Sequence, residues 1–335
     1  MNDKLGKFKI CVPDKSNIRK LGYLKNDKLK AAFQKKFLWP AHSILNIYFM
    51  NDGKNIDRQT ADQIQRSSKS KIDPLQYEVD KIKDIRECIK KIINERFAPI
   101  INLEFNVIDN IENSQIRIDF DELNGSWSYV GIDCNNHKKE STMNFAWFDV
   151  QTVMHEFGHA LGLIHEHQNP KNNTIKWDDK AVYKWAQVTQ GWDKQTTKIN
   201  IIEPPTEQIN GSEYDPLSIM LYFYPPELTL DNKGTSENLR LSPYDVIYLN
   251  NTYTKTVDLD IFYNKIYGES IKKQLISDST NKKLFTYVDK KTSKYMIFTV
   301  FIIITIVLFI IFYFVFIKKS NPQMSSYQLP SFYNK

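Results

Sequence analysis

The chain is poor in cysteine, poor in glycine and without any long run of one charge. Its three cysteines, Cys11, Cys88 and Cys134, are widely spaced and form no C-x-x-C pair. That spacing argues against a cysteine-built structural metal site, a dithiol redox motif and a disulfide framework, and it favours a reducing compartment. The N-terminus, MNDKLGKFKICVPDK, lacks the continuous apolar stretch of a secretory signal, so entry into the secretory pathway by that route is not expected. Basic residues exceed acidic ones by 45 to 39, a net charge of +6, yet the two signs are interspersed and no arginine-rich arm appears. Nucleic acid is therefore not an expected partner, and the charge reads as solubility with a contribution from anionic lipid. No internal repeat is visible. Frequent Lys, Asn and Ile fit an AT-rich genome, such as that of a large DNA virus or a protist.

What is present is a substantial apolar content, 41% of 335 residues, enough to bury a sizeable core. Residues 296–317, MIFTVFIIITIVLFIIFYFVFI, run without a charge and match the ~20 residues needed to cross a bilayer as a helix. A buried soluble helix would carry a polar stripe, and this one has none. Lys282, Lys283, Lys290, Lys291 and Lys294 precede the stretch while Lys318 and Lys319 follow it, which predicts a single-pass C-terminal anchor, in contact with membrane lipid, with the larger N-terminal part facing the cytoplasm.

Upstream, residues 45–50 (LNIYFM) read as a strand closed by the turn Asn51-Asp52-Gly53. Val79, Ile82, Ile85, Ile89, Ile92 and Ile93 recur at helical spacing over 77–97, and strands are expected over 101–108 and 115–120. The fold class is accordingly α+β, with a helix packed on a mixed sheet. The predicted organisation is an N-terminal extension (1–35), a folded domain (36–255), a polar stalk (256–294), the transmembrane helix (295–317) and a short tail (318–335).

The chemistry concentrates in VMHEFGHALGLIHEHQNP, residues 153–170, which contains H-E-x-x-H-x-x-G-x-x-H as His155, Glu156, His159, Gly162 and His165. On a helix His155 and His159 are one turn apart and face one ion, with Glu156 as their neighbour. Gly162 falls where the chain must reverse in a left-handed conformation to bring back His165 as the third ligand. Three imidazoles and one open position describe one catalytic Zn2+, because structural zinc sites are closed by four protein ligands. Histidines at chance spacing would not also supply Glu and Gly at fixed positions. His167 is read as a loop histidine, since three ligands are already present.

These residues resemble the metzincin metallopeptidases, and within them the astacin-like group, whose zinc motif continues with Glu as Glu166 does here. Ser218-Ile219-Met220-Leu221-Tyr222 resembles the Met-turn of that group. The resemblance implies a metzincin-type domain with two subdomains flanking a cleft, Met220 as an apolar floor beneath the metal, and Tyr222 as a phenol that stabilises the oxyanion. Residues 142–148, TMNFAWF, resemble the edge strand beside the cleft, and 241–253 the closing helix. Leu221 departs from the His that many astacins carry there. The implied reaction is hydrolysis of peptide bonds in a peptide or protein substrate by a zinc-activated water with Glu156 as general base. The alternative is a non-catalytic, membrane-bound adhesion or structural protein on the same scaffold, which would predict damage to the ligands or the base, and all four residues are intact.

Overall fold

A computed structural model describes residues 37–67, 72–169, 173–203, 214–255, 257–277, 302 and 304–310. The chain divides into two compact units, Met1–Lys272 and Lys273–Lys335. In the first, the described residues form seven short strands in two sheets. Strands β1 (Ile44–Phe49), β2 (Asp57–Arg58), β3 (Glu104–Val107), β4 (Ile116–Asp119), β5 (Trp127–Ser128), β6 (Met143–Asn144) and β7 (Trp147–Phe148) arrange as a five-stranded sheet, β3-β1-β4-β6-β5, and a β2-β7 pair. The large sheet is parallel except for β5, which runs antiparallel to β6.

The strand expected over 45–50 is β1, with Leu45 and Ile47 fully buried and Ile47 in register with both Val107 and Ile116. At the sheet centre, β4 buries Ile116, Arg117 and Ile118. A buried guanidinium needs partners for its donors, and Arg117 gives its own to four backbone carbonyls, those of Ser114, Cys134, His137 and Glu140, at 2.6–2.9 Å. It thereby fastens the 131–140 loop to the sheet.

The α-helices up to Ser277 are α1 (Ala61–Ser67), α2 (Leu75–Val79), α3 (Ile85–Arg96), α4 (Val150–Ala160), α5 (Asp179–Gln190), α6 (Lys194–Thr197), α7 (Pro243–Thr252) and α8 (Leu259–Ser277). The apolar period over 77–97 spans two helices rather than one. Asp84 stands in extended conformation and accepts from Arg86 N, so it caps α3 and separates it from α2. Ile85, Ile89, Ile92 and Ile93 on α3 are buried as their spacing requires.

Two further expectations are corrected. Within residues 142–148, Met143–Asn144 are interior to the five-stranded sheet, because β6 is paired on both sides and the strand outside it is β5, while Trp147–Phe148 pair with β2 in the two-stranded sheet. The segment after 255 does not begin as a free stalk. Leu259, Phe262, Tyr263 and Tyr267 of α8 are buried, and Tyr263 donates to Leu241 O at 3.0 Å. Its aromatic residues supply the apolar area that a stalk would leave exposed. The helix is interrupted at Gly268, where φ is 77°.

Most of residues 295–317 lie outside the described residues, as does Cys11. Among the described residues no helix is long and apolar enough to cross a membrane.

Candidate active site

The site is built on α4 and the reversal that ends it. Asp149 caps its start by accepting from Thr152 N, and Gln76 accepts from Val150 N at 2.8 Å. At its end Gly162 takes φ 94°, Leu163 N donates to Gly158 O at 2.9 Å and Gly162 N to His159 O at 2.7 Å. This pair of bonds with a left-handed glycine is the Schellman stop, the reversal predicted from the sequence. Two distant side chains satisfy remaining carbonyls: Trp39 Nε1 donates to Ala160 O and Tyr253 OH to Leu161 O, both at 2.8 Å.

The reversal places His165 against His155 and His159. One ligand atom from each of the three lies within 4.8 Å of the others, and all three side chains are buried. His155 Nδ1 lies 2.9 Å from Ile219 O and His159 Nδ1 2.8 Å from Leu163 O. A carbonyl only accepts, so each Nδ1 carries the proton and each Nε2 presents a lone pair. Burial holds His155 and His165 well below the ordinary imidazole range, helped by the neighbouring histidines, and holds His159 down to about 4. All three are neutral at pH 7. His159 Nε2 and His165 Nε2 approach to 2.9 Å, while His155 Nε2 is buried without a hydrogen-bond partner. A single cation at the centre takes all three lone pairs at once, which no hydrogen-bond arrangement among them does, so the donor set fits zinc.

Residues 73–254 match the model of the astacin peptidase family. The chain belongs to the astacin family. Members are zinc metallopeptidases, and the three-histidine centre accommodates their one catalytic zinc. Over 142 residues the chain is 25% identical to the zinc metalloproteinase nas-6 of Caenorhabditis elegans, covering 39% of this chain and 38% of that protein. Over 110 residues it is 27% identical to the astacin-like metalloprotease toxin 4 of Loxosceles laeta, covering 33% of this chain and 89% of that one. The solved structure of myroilysin superimposes with a TM-score of 0.53 at 29% identity, over 67% of this chain and 98% of myroilysin.

Glu156 sits beside His155 on the astacin helix and is fully buried. Met220 is buried beneath α4, and the close approach explains Gly158: a Cβ there would lie 2.6 Å from Met220 Sδ. The ring of Tyr222 lies 5.0 Å from that of His155 and 4.3 Å from that of His165, measured between centroids. The structure therefore brings Glu156, Met220 and Tyr222 to the three histidines.

His167 is not in the three-histidine cluster. It is buried in the short 3-10 turn Glu166–Gln168, with Nε2 2.9 Å from Asn200 O and its ring 5.3 Å from that of His165. Glu166 accepts from Asp215 N at 2.7 Å and from Asn169 Nδ2 at 2.8 Å, and burial pushes its carboxyl up to about 8. It thus ties the turn after the third histidine to the approach of the Met-turn. Sequence reasoning missed Gly158 and Asp245. For Gly158 the available signal was a glycine inside a helix, a costly residue there unless something packs against it. For Asp245 there was the S-x-x-D capping pattern, observed as Ser242 Oγ accepting from Asp245 N while Asp245 accepts from Ser242 N.

Proposed function

We propose that this astacin-family protein is an endopeptidase that cleaves peptide or protein substrates in a cleft beside the three histidines, with Glu156 as general base, on a chain anchored to a membrane. The observation that carries the reading is the set of three neutral, convergent imidazoles on and after α4, with Glu156 next to the first of them. A zinc ion held by His155, His159 and His165 supplies Lewis-acid polarisation and a water that ionises near neutral pH. Glu156 takes the proton of the attacking water and passes it to the leaving amine. The Tyr222 phenol, packed against His155 and His165, donates to the oxyanion as charge develops. The antiparallel edge strand β5 offers its backbone to an extended peptide.

Membrane attachment is supported by the uncharged stretch of 295–317 and by Ile304, Ile306, Val307, Leu308, Phe309 and Ile310, which are helical and exposed. The lysines before that stretch favour a cytoplasmic catalytic domain.

The test is full-length protein in detergent, assayed for zinc content and for cleavage of an unstructured protein. Near-stoichiometric zinc, with cleavage that a chelator abolishes and Glu156→Gln abolishes without loss of zinc, is the expected result. Full activity in Glu156→Gln would overturn the assignment of the base.

A further inference from the structure

The two carbonyls that hold His155 and His159 are secured in different ways. Leu163 O, which accepts from His159, belongs to the turn that ends α4. Ile219 O, which accepts from His155, belongs to the peptide unit whose other end is the N–H of Met220. That N–H donates to Ser218 Oγ at 3.1 Å. Ser218 Oγ in turn donates to Asp245 Oδ1 at 2.7 Å, since a carboxylate accepts and does not return the proton. Asp245 also accepts from Ile219 N at 2.9 Å and Ser242 N at 2.8 Å through Oδ2. Burial raises its carboxyl and these donors oppose the rise. Ser218 and Asp245 are both buried.

Every bond in this series points the same way, from His155 Nδ1–H through the Ile219–Met220 peptide and the Ser218 hydroxyl to the Asp245 carboxylate. Aligned hydrogen bonds polarise one another, more so in a low-dielectric interior. We propose that Ser218 and Asp245 are positioning residues for His155: through the Ile219–Met220 peptide they strengthen the carbonyl that holds Nδ1–H, fixing the ring and raising the basicity of Nε2 toward zinc. The arrangement extends the carboxylate–histidine–metal pattern by one hydroxyl and one peptide. It rests on the zinc reading of the site.

The test measures zinc affinity of the full-length, zinc-stripped protein in detergent by competition with a chromophoric chelator, with thermal melting of each zinc-free variant alongside. Ser218→Ala breaks the series between peptide and carboxylate. Asn238→Ala is the control, because Asn238 Nδ2 braces the same turn through Pro216 O and Ser218 O without entering the series. Ser218→Ala is expected to weaken zinc binding about tenfold or more, while Asn238→Ala stays within about threefold whatever it costs in melting temperature. Unchanged affinity in Ser218→Ala overturns the proposal, as does an equal loss in Asn238→Ala, which would mean that any loosening of the turn suffices. If Ser218→Ala does not fold, Ser218→Cys keeps the shape with a weak hydrogen-bonding group; weakened zinc binding there supports the series and unchanged binding overturns it. A parent protein that binds no zinc would overturn the metal reading itself, and the series with it.

Discussion

The buried ion pair between Asp73 and Arg96 offers a large stability effect away from the active site. Arg96 ends α3 and Asp73 precedes α2. The guanidinium donates through Nε at 3.0 Å and Nη2 at 2.6 Å to the two carboxylate oxygens, with side-chain exposures of only 3% and 1%. The ring of Tyr267 is in cation–π contact with both guanidinium groups, its centroid 5.4 Å from Arg96 Cζ and 5.6 Å from Arg240 Cζ, so the pair also anchors α8. Asp73→Ala leaves the buried guanidinium with only the partly exposed Glu95 carboxylate, 3.6 Å from Nη1, as an ion partner, and removing one partner of a buried pair costs about 3–5 kcal/mol. For a domain of this size each kcal/mol lowers Tm by roughly 2–4 °C, so a fall of about 6–20 °C is expected in thermal unfolding of the full chain. Replacing both residues by apolar ones of similar volume should cost much less than the sum of the two single changes, because no charge is left unpaired. A loss below about 1 kcal/mol for Asp73→Ala would refute the reasoning and place this pair with the weak exposed ones.

Further outcomes follow from the same geometry. Tyr222→Phe should retain zinc and lower kcat by about 10²–10³, the usual effect of losing one oxyanion donor; steady-state kinetics with unchanged kcat would remove Tyr222 from the mechanism. Tyr253→Phe leaves Leu161 O without its donor at the end of α4 and should cost about 1–3 kcal/mol in denaturant unfolding; an unchanged midpoint would show that another donor replaces the phenol. Burial pushes the Cys134 thiol up to about 12 and also raises that of Cys88, so both should resist alkylation at pH 8 in the folded protein and react once it unfolds. Rapid labelling of either under native conditions would contradict their burial. Saturating zinc at about 100 times its Kd should raise stability by about 2.7 kcal/mol, and a chelator should remove that increment in a thermal scan.

How much of this was legible in the sequence depended on whether the signal was local. The helical placement of His155 and His159, the stop at Gly162 and the three ligands were legible because the spacing of a helix and the left-handed preference of glycine act over a single turn. The strand β1 and the buried face of α3 were legible for the same reason. The break between α2 and α3 was not, because the apolar period continues across it and only the capping of Arg86 N by Asp84 divides the two. The Met-turn was recognised through family likeness alone; nothing in its five residues announces that Met220 meets Gly158, far earlier in the chain.

Tyr263 and Tyr267 were misplaced in a stalk for a related reason. Their surroundings are charged, and their partners, Leu241 O for one and the Arg96 and Arg240 guanidinium groups for the other, are distant enough that no window along the chain contains them all. Asp245 is the sharpest instance. Its capping role is written in four consecutive positions, Ser242 to Asp245, and the structure shows that role. The same carboxylate also receives Ser218 Oγ and Ile219 N, and so reaches His155 by way of a peptide that belongs to neither residue alone. A residue whose local role already accounts for its presence gives no sign of a second one, and here only the fold, by setting the start of α7 against the Met-turn, reveals it.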